Sequence, residues 1–202
     1  FSQCQELKNL HLPSSLTFVG EGAFYSCNSL KKVAFSNLSI MKISPSIFES
    51  CISLCEIIIP SSIVSIGYEA FYKCSKLKKV NIPSSVTSID RWAFSNCESL
   101  EEIKLPPSFN EISSGIFRNC TSLNNIEIPS SVRFIKDCAF SDCKSLKKIL
   151  IPPMVNFIEE KAFLRCCSLN EISISSPVIK IGDSTFNGCS SLTQISIPSS
   201  VT

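Results

Sequence analysis

Cysteine is the residue type of this chain with the most chemistry available to it. A thiol can act as a nucleophile, bind a metal or form a disulfide. The chain has 202 residues, with twelve cysteines and one histidine. No C-x-x-C pair occurs, and one histidine is too few for the usual zinc ligand sets, so we predict no metal site.

Most of the cysteines recur at one position of a repeat. A cysteine used in this way packs as a small apolar residue, so we predict a column of buried free thiols. Stacked neighbours could also fall within the roughly 4.4–6.8 Å Cα range of a disulfide, which leaves a few disulfides open in an oxidising compartment. The irregular Cys55, Cys138 and Cys167 are better candidates for reactivity or for disulfide pairing. The nine regular members are Cys4, Cys27, Cys51, Cys74, Cys97, Cys120, Cys143, Cys166 and Cys189.

The other polar residues give little indication of a catalytic site. A cysteine or serine nucleophile needs a base beside it, and the single histidine, His11, lies in the incomplete first repeat. The six glycines are scattered and form no phosphate-binding loop. We therefore expect a protein that is not an enzyme, with no cofactor and no small-molecule substrate.

The elements that position these cysteines are marked by phenylalanine. Seven of the eight intervals between the marker phenylalanines are 23 residues, and the other is 24. Each phenylalanine is followed by a cysteine, a leucine and two mainly β-branched positions spaced two apart, which predict one short strand per repeat. Proline follows that strand in seven of nine repeats and ends it. The markers are Phe1, Phe24, Phe48, Phe71, Phe94, Phe117, Phe140, Phe163 and Phe186.

The repeat pattern L-x-x-I-x-I-P-x-x-V-x-x-I-x-x-x-A-F-x-x-C, as in residues 82–100, resembles the BspA-like subfamily of leucine-rich repeats. No single repeat can bury its own apolar side, so the repeats must stack. We predict a leucine-rich-repeat solenoid of about nine 23-residue repeats. Its parallel β-sheet is expected on the concave face, with short irregular, 3-10 or helical turns on the convex side. The segment from Ala34 to Ile47 lacks the proline and gains one residue, so a local bulge is expected there.

Composition and chain organisation narrow the choice of partners. We interpret residues 1–202 as a single domain without polar caps, and hence as a fragment of a longer chain. The 19 Lys and Arg against 17 Asp and Glu give a net charge of +2, which provides no electrostatic footprint for nucleic acid. No apolar stretch approaches the ~20 residues of a membrane span, so no membrane insertion is predicted within this segment.

The strand side chains that point away from the core are the candidate binding residues on the concave face. Charge sign alternates along one column of these residues, which is consistent with structural pairing of neighbours in a parallel sheet. The alternative is a footprint for a protein partner, in which Ile58 and Leu150 supply apolar contacts. The candidates are Lys32, Glu56, Ile58, Lys79, Asn81, Glu102, Lys104, Asn125, Glu127, Lys148, Leu150 and Glu171.

Two further features lie outside that face. Trp92 is the only tryptophan, and it occupies a variable column on the outer side, where it could anchor a partner or cover its neighbour. The triplets Asn37-Leu38-Ser39 and Asn119-Cys120-Thr121 match the N-glycosylation acceptor pattern, which matters only for a secreted chain.

Proteins that this pattern resembles are typically surface antigens of mucosal bacteria and parasitic protists. The resemblance implies a protein-binding module of the cell surface or extracellular space, which adheres to host or matrix proteins. An intracellular scaffold for protein–protein interaction is the alternative, and the free thiols are compatible with it. No signal peptide or transmembrane segment is visible in the sequence.

Overall fold

The computed structural model describes residues 1–35, 40–174 and 178–202. Over these residues the chain winds into a solenoid in which each turn is short and strands are two to four residues long. The fifteen strands are β1 (Asn9–Leu12), β2 (Lys32–Phe35), β3 (Lys42–Ile43), β4 (Glu56–Ile57), β5 (Ser65–Ile66), β6 (Lys79–Asn81), β7 (Ser88–Ile89), β8 (Glu102–Lys104), β9 (Glu111–Ile112), β10 (Asn125–Glu127), β11 (Phe134–Ile135), β12 (Lys148–Ile151), β13 (Phe157–Ile158), β14 (Glu171–Ile174) and β15 (Lys180–Ile181).

The strands form two interrupted parallel sheets along the solenoid, which hydrogen bonding divides into five groups. On the concave face, β1-β2-β4, β6-β8-β10 and β12-β14 pair in register, and a bridge between Ile58 and Asn81 links the first group to the second. On the second side, β3-β5-β7 and β9-β11-β13-β15 pair in the same way. The leucine-rich-repeat solenoid with a parallel concave sheet is therefore confirmed.

The number of turns is slightly lower than the nine repeats in the sequence. Seven turns carry a strand in both sheets, among the residues that the structure describes. The first turn contributes β1 alone, and the last, which begins at Phe186, contributes no strand to either sheet. An outermost turn has a neighbour on one side only, so its backbone gains half of the ladder hydrogen bonds.

The core is a ladder of phenylalanine rings. Eight successive pairs, from Phe1 with Phe24 to Phe163 with Phe186, stack with ring centroids 5.2–6.1 Å apart. The rings from Phe48 to Phe163 are fully buried, whereas Phe1 is 81% exposed. Burial of one such ring contributes about 1.5–3 kcal/mol of transfer free energy, so the ladder is a main source of cohesion between turns.

A column of cysteines runs beside the phenylalanines. The predicted burial is confirmed for eight of the nine regular cysteines, and Cys4 is half-buried. All twelve cysteines are free. Each buried thiol of this column donates to the backbone carbonyl of the phenylalanine in the preceding turn, as Cys97 does to Phe71 at 3.2 Å and Cys120 to Phe94 at 3.2 Å. The column thus binds one turn to the next, which sequence reasoning did not predict.

The convex side consists of hydrogen-bonded turns, and the described residues contain no helix. Two positions in each turn, two residues before and two after the phenylalanine, have positive φ, for example 61° at Trp92 and 60° at Asn96. Left-handed residues at this spacing interrupt a helix, so of the expected alternatives the irregular turn is the one found. Their amides donate to the next turn, as Asn96 does to the carbonyl of Arg118 at 2.7 Å.

Part of the segment from Ala34 to Ile47, where a bulge is expected, lies outside the described residues. Residues 36–39 are not among the described residues, and the triplet Asn37-Leu38-Ser39 lies within them. On the far side, Lys42 and Ile43 pair in register with Ser65 and Ile66.

Candidate protein-binding face

The concave strands expose alternate side chains because successive residues of a strand point to opposite faces. In β6, β8 and β10 the middle residue is buried and the flanking residues are exposed. All the candidate residues predicted on this face are exposed. In-register pairing then aligns them into two columns that follow the solenoid axis.

Three ion pairs occupy the first column. Lysine Nζ and glutamate Oε atoms lie 2.8 Å apart in Lys32–Glu56, 2.6 Å in Lys79–Glu102 and 2.5 Å in Lys148–Glu171. The hydrogen bonds that Lys32 and Lys79 donate to their partner carboxylates raise the pKa of both lysines. All six side chains are more than half exposed, so each pair contributes about 0–1 kcal/mol to stability.

The middle of the concave face contains charged side chains outside the three ion pairs. Lys104 and Glu127 are neighbours in register on β8 and β10, but within the described ranges neither belongs to an ion pair. They line a depression of about 480 Å³ together with Asn81, Asn125 and the Lys79–Glu102 pair. This part of the face therefore presents a free ammonium, a free carboxylate and two amides to an outside molecule.

Two apolar side chains flank this polar centre. Ile58 is 70% exposed and Leu150 is 62% exposed. Ile58 bridges Asn81, and Leu150 lies in register with Ser173. Four turns separate the two residues along the column, so they form separate contact points and no continuous apolar patch.

No group of three or more His, Cys, Asp or Glu side chains is placed to hold a metal ion over the described ranges. His11 lies on β1 in register with Ala34. Burial raises the pKa of Cys51 to about 12 and raises the pKa of Cys97 and Cys120 as well, so these thiols are poor nucleophiles.

Trp92 lies on the convex side, away from this face, and is half-buried. Its ring packs against Gly115, where an added Cβ atom would lie 2.6 Å from the ring. The guanidinium of Arg118 lies over the same ring, 5.5 Å from its centroid. Sequence reasoning found Trp92 but missed the cations that accompany it and the neighbouring tyrosines. The signal that could have found them is that every Tyr and Trp of the chain lies within three residues of a marker phenylalanine.

The second N-glycosylation triplet is structurally constrained. Asn119 is half-buried, and its amide donates to Asn96 Oδ1 at 2.9 Å. Cys120, the middle residue of the triplet, is fully buried. The hydrogen bond of Asn119 and the burial of Cys120 both oppose access to Asn119 in the folded chain.

The repeat geometry agrees with a comparison of the sequence with known families. Residues 1–124 and 110–202 match a model of the BspA type leucine rich repeat region, in six copies. The chain belongs to the BspA-type leucine-rich repeat family. Among curated proteins, no match was found. No helix in the described part of this family member has the length and apolar character to cross a membrane.

Solved structures of bacterial leucine-rich repeat proteins share the fold. A leucine-rich repeat protein of T. pallidum is 28% identical with a TM-score of 0.70, and the match covers 92% of this chain and 78% of that one. A leucine-rich repeat protein of Bacteroides ovatus is 26% identical with a TM-score of 0.56, covering 98% and 68%. The pneumococcal vaccine antigen PcpA is 20% identical with a TM-score of 0.69, covering 100% of this chain and 63% of the antigen.

Proposed function

We propose that this BspA-type leucine-rich repeat protein is a non-enzymatic module of the cell surface that binds host or matrix proteins through its concave face. The observation that carries the proposal is the array of exposed side chains on consecutive concave strands, which have no covering element among the described residues. Solenoids commonly bind proteins with such a surface. The shared fold with a pneumococcal vaccine antigen supports a surface location.

The contact centre of the proposal is the depression around Lys104 and Glu127. A partner gains more from an unpaired charge than from one already neutralised, because no internal ion pair has to be broken. Ile58 and Leu150 then provide apolar contacts on either side. The remaining pairs, such as Lys79–Glu102, set the charge pattern that a partner has to match.

Exchanging the charges of one pair tests the face. The protein is incubated with intact host cells and with immobilised fibronectin, laminin and collagen, and binding is measured for the unaltered chain and for Lys79→Glu/Glu102→Lys. The exchange keeps the attraction between the two residues and reverses the pattern seen by a partner, so binding to a partner is expected to fall by roughly tenfold or more. A control exchange, Lys136→Glu/Glu159→Lys, alters a pair that directly follows strands β11 and β13 of the second sheet. Equal binding by all three proteins would remove this part of the face from the site.

The free thiols are also compatible with a second candidate, an intracellular scaffold. Every buried regular cysteine already uses its thiol as a hydrogen-bond donor, which fits a reducing compartment as well as an oxidising one. Alkylation of denatured protein from its native source, followed by mass measurement, counts the free thiols. Extensive disulfides would contradict the scaffold, and antibody labelling of intact source cells tests the surface location directly.

A further inference from the structure

A cluster of aromatic and cationic side chains lies on the convex side of three consecutive turns. Arg91 Cζ lies 5.3 Å from the ring centroid of Tyr68, and Arg118 Cζ lies 5.5 Å from that of Trp92. Lys73 Nζ lies 5.2 Å from the ring centroid of Tyr72. We call this cluster the convex aromatic patch; it consists of Tyr68, Tyr72, Lys73, Arg91, Trp92 and Arg118.

The cations of the patch are held by rings and not by carboxylates. The three rings are half-buried, and Lys73, Arg91 and Arg118 are exposed. Within the described ranges none of these cations takes part in a salt bridge. A guanidinium stacked on a ring keeps its N–H groups at the edge, where they can donate to an outside anion.

Carboxylates lie close to the patch, and two of them accept hydrogen bonds from backbone amides. Asp90 accepts a hydrogen bond from the backbone amide of Arg91 at 2.7 Å, and Asp137 accepts one from the amide of Glu160 at 3.1 Å. The hydroxyl of Tyr68 is hydrogen-bonded to Glu69, which raises the pKa of Tyr68. Arg91 and Arg118 therefore have no salt bridge among the described residues, while Asp90, Glu69 and Glu49 keep their negative charge close to Arg91 and Tyr68.

The composition of the patch is that of a protein-binding hot spot. Trp, Tyr and Arg are the residues most enriched among side chains that dominate binding energy. The concave columns contain none of them among the described strands, and three of their lysines are paired with glutamates. Stacking restrains the arginine side chains before binding, so less conformational entropy is lost when they contact a partner.

We propose that the convex aromatic patch binds an acidic segment of a partner protein. Asp or Glu side chains of that segment accept hydrogen bonds from Arg91 and Arg118, and its apolar groups contact the rings of Tyr68 and Trp92. This is a second surface, on the opposite side from the concave face, and it does not depend on binding at that face.

A labelled oligoglutamate peptide is a direct probe of the patch. Fluorescence anisotropy gives its affinity, and the emission of Trp92, the only tryptophan, reports whether the peptide binds at the patch. We expect saturable binding at low ionic strength that shifts the Trp92 emission and weakens with added salt. Oligoglutamine and oligolysine peptides of the same length are expected not to bind.

Two double variants with the same change of net charge locate the site. Arg91→Gln/Arg118→Gln is expected to weaken oligoglutamate binding by roughly tenfold. Arg133→Gln/Lys147→Gln, which alters exposed cations elsewhere, is expected to leave it within about twofold. Circular dichroism and urea unfolding verify that both variants are folded.

Several outcomes would overturn the proposal. These are no saturable oligoglutamate binding, equal weakening by both double variants, an unshifted Trp92 emission, or binding of heparin in preference to oligoglutamate, which would assign the patch to a sulfated polysaccharide. The variant Lys79→Glu/Glu102→Lys serves as a separate control. If it abolishes matrix-protein binding while oligoglutamate binding persists, the two surfaces are independent.

Discussion

At the scale of single residues, the hydrogen bonds of the buried cysteines give a reason for a thiol at a position where alanine would also be small enough. The phenylalanine carbonyl receives an amide within its own turn, as Phe94 does from Cys97, and a thiol from the next turn, as from Cys120. An S–H group is small, apolar and a weak donor, so it satisfies a second lone pair of the carbonyl without a large desolvation cost. The column therefore combines packing with hydrogen bonding.

This arrangement makes stability depend on pH in the alkaline range. Burial raises the pKa of Cys74, Cys97, Cys120 and Cys143 well above the ordinary value of 9.0. Thiols of the unfolded chain therefore ionise first, and the stabilisation is complete below pH 9 and is lost as pH rises above it. Each such thiol reduces the free energy of unfolding by at most about 1.4 kcal/mol per pH unit.

Urea unfolding between pH 7 and pH 10 measures this effect. We expect the unfolding midpoint to be constant up to about pH 8 and to fall steeply above pH 9. The variant Cys97→Ala/Cys120→Ala is expected to be less stable at pH 7 but to show a shallower decline. An unfolding midpoint at pH 10 equal to that at pH 7 would contradict the buried, protonated state of the column.

At the scale of elements, the convex turns depend on residues with positive φ. Most of these residues are not glycine, and they include Asn96, Asn119 and Trp92. An L-residue in this region costs about 1–2 kcal/mol, so hydrogen bonds to the next turn have to offset the strain. The local sequence does not favour these turns, and the stacking of turns stabilises them.

Gly115 gives a test at this scale. It has a φ of 59°, and a Cβ atom would lie 2.6 Å from the Trp92 ring. We expect Gly115→Ala to reduce the free energy of unfolding by roughly 1–3 kcal/mol, because it adds backbone strain and displaces the ring. Urea unfolding measures the cost, and a shifted emission of Trp92 reports the displacement.

The matched control for this variant is Gly20→Ala. Gly20 has an ordinary φ, and the nearest atom to its added Cβ is a side-chain carbon of Phe18 at 3.8 Å. We expect a change within about 0.5 kcal/mol. If both variants lose the same stability, the close packing of Trp92 on Gly115 is not a determinant of the fold.

The concave strands followed from the sequence, whereas the second strand in each of seven turns and the turn conformation did not, since only one strand per repeat was predicted. The alternation around residues such as Ile103 and Ile126 predicts strands with one buried face, and both residues are buried in paired strands. The turn conformation was not predictable, because serine and lysine at positive φ, as at Ser50 and Lys73, carry no local signal for it. The same holds for the cations on the aromatic rings, since Arg118 and Trp92 meet only after neighbouring turns stack.

At the scale of the whole molecule, the solenoid has no central core, and each turn contacts mainly the two beside it. Stability is then a sum of contributions from turns and from interfaces between neighbours. The phenylalanine ladder is the largest apolar part of those interfaces. A change in the middle of the ladder affects two interfaces, whereas a change at the last marker affects one.

Phe94→Ala and Phe186→Ala form the corresponding pair of variants. Phe94 is fully buried between Phe71 and Phe117, and its loss is expected to cost about 3–5 kcal/mol. Phe186 is half-buried beside Phe163, so its loss is expected to cost less than half as much. Urea unfolding compares the two free energies.

Hydrogen exchange adds a spatial readout to the same comparison. In Phe94→Ala, the turns on either side of residue 94 are expected to exchange as two separate blocks, because the weakened interface divides the array. In Phe186→Ala, faster exchange is expected in the last turns only. Uniform acceleration along the chain in both variants would contradict the nearest-neighbour description.

The hydrogen bond from each buried thiol to the phenylalanine carbonyl one turn earlier has an evolutionary consequence. It joins residues 26 apart in sequence, as in Cys97 and Phe71, and the same connection recurs wherever the 23-residue unit recurs. Duplicating any one unit in the gene therefore inserts a turn that brings its own thiol, its own carbonyl and its own ring, each matched to both neighbours. Such an array can gain or lose length by recombination without compensating mutations elsewhere, while its exposed positions diverge.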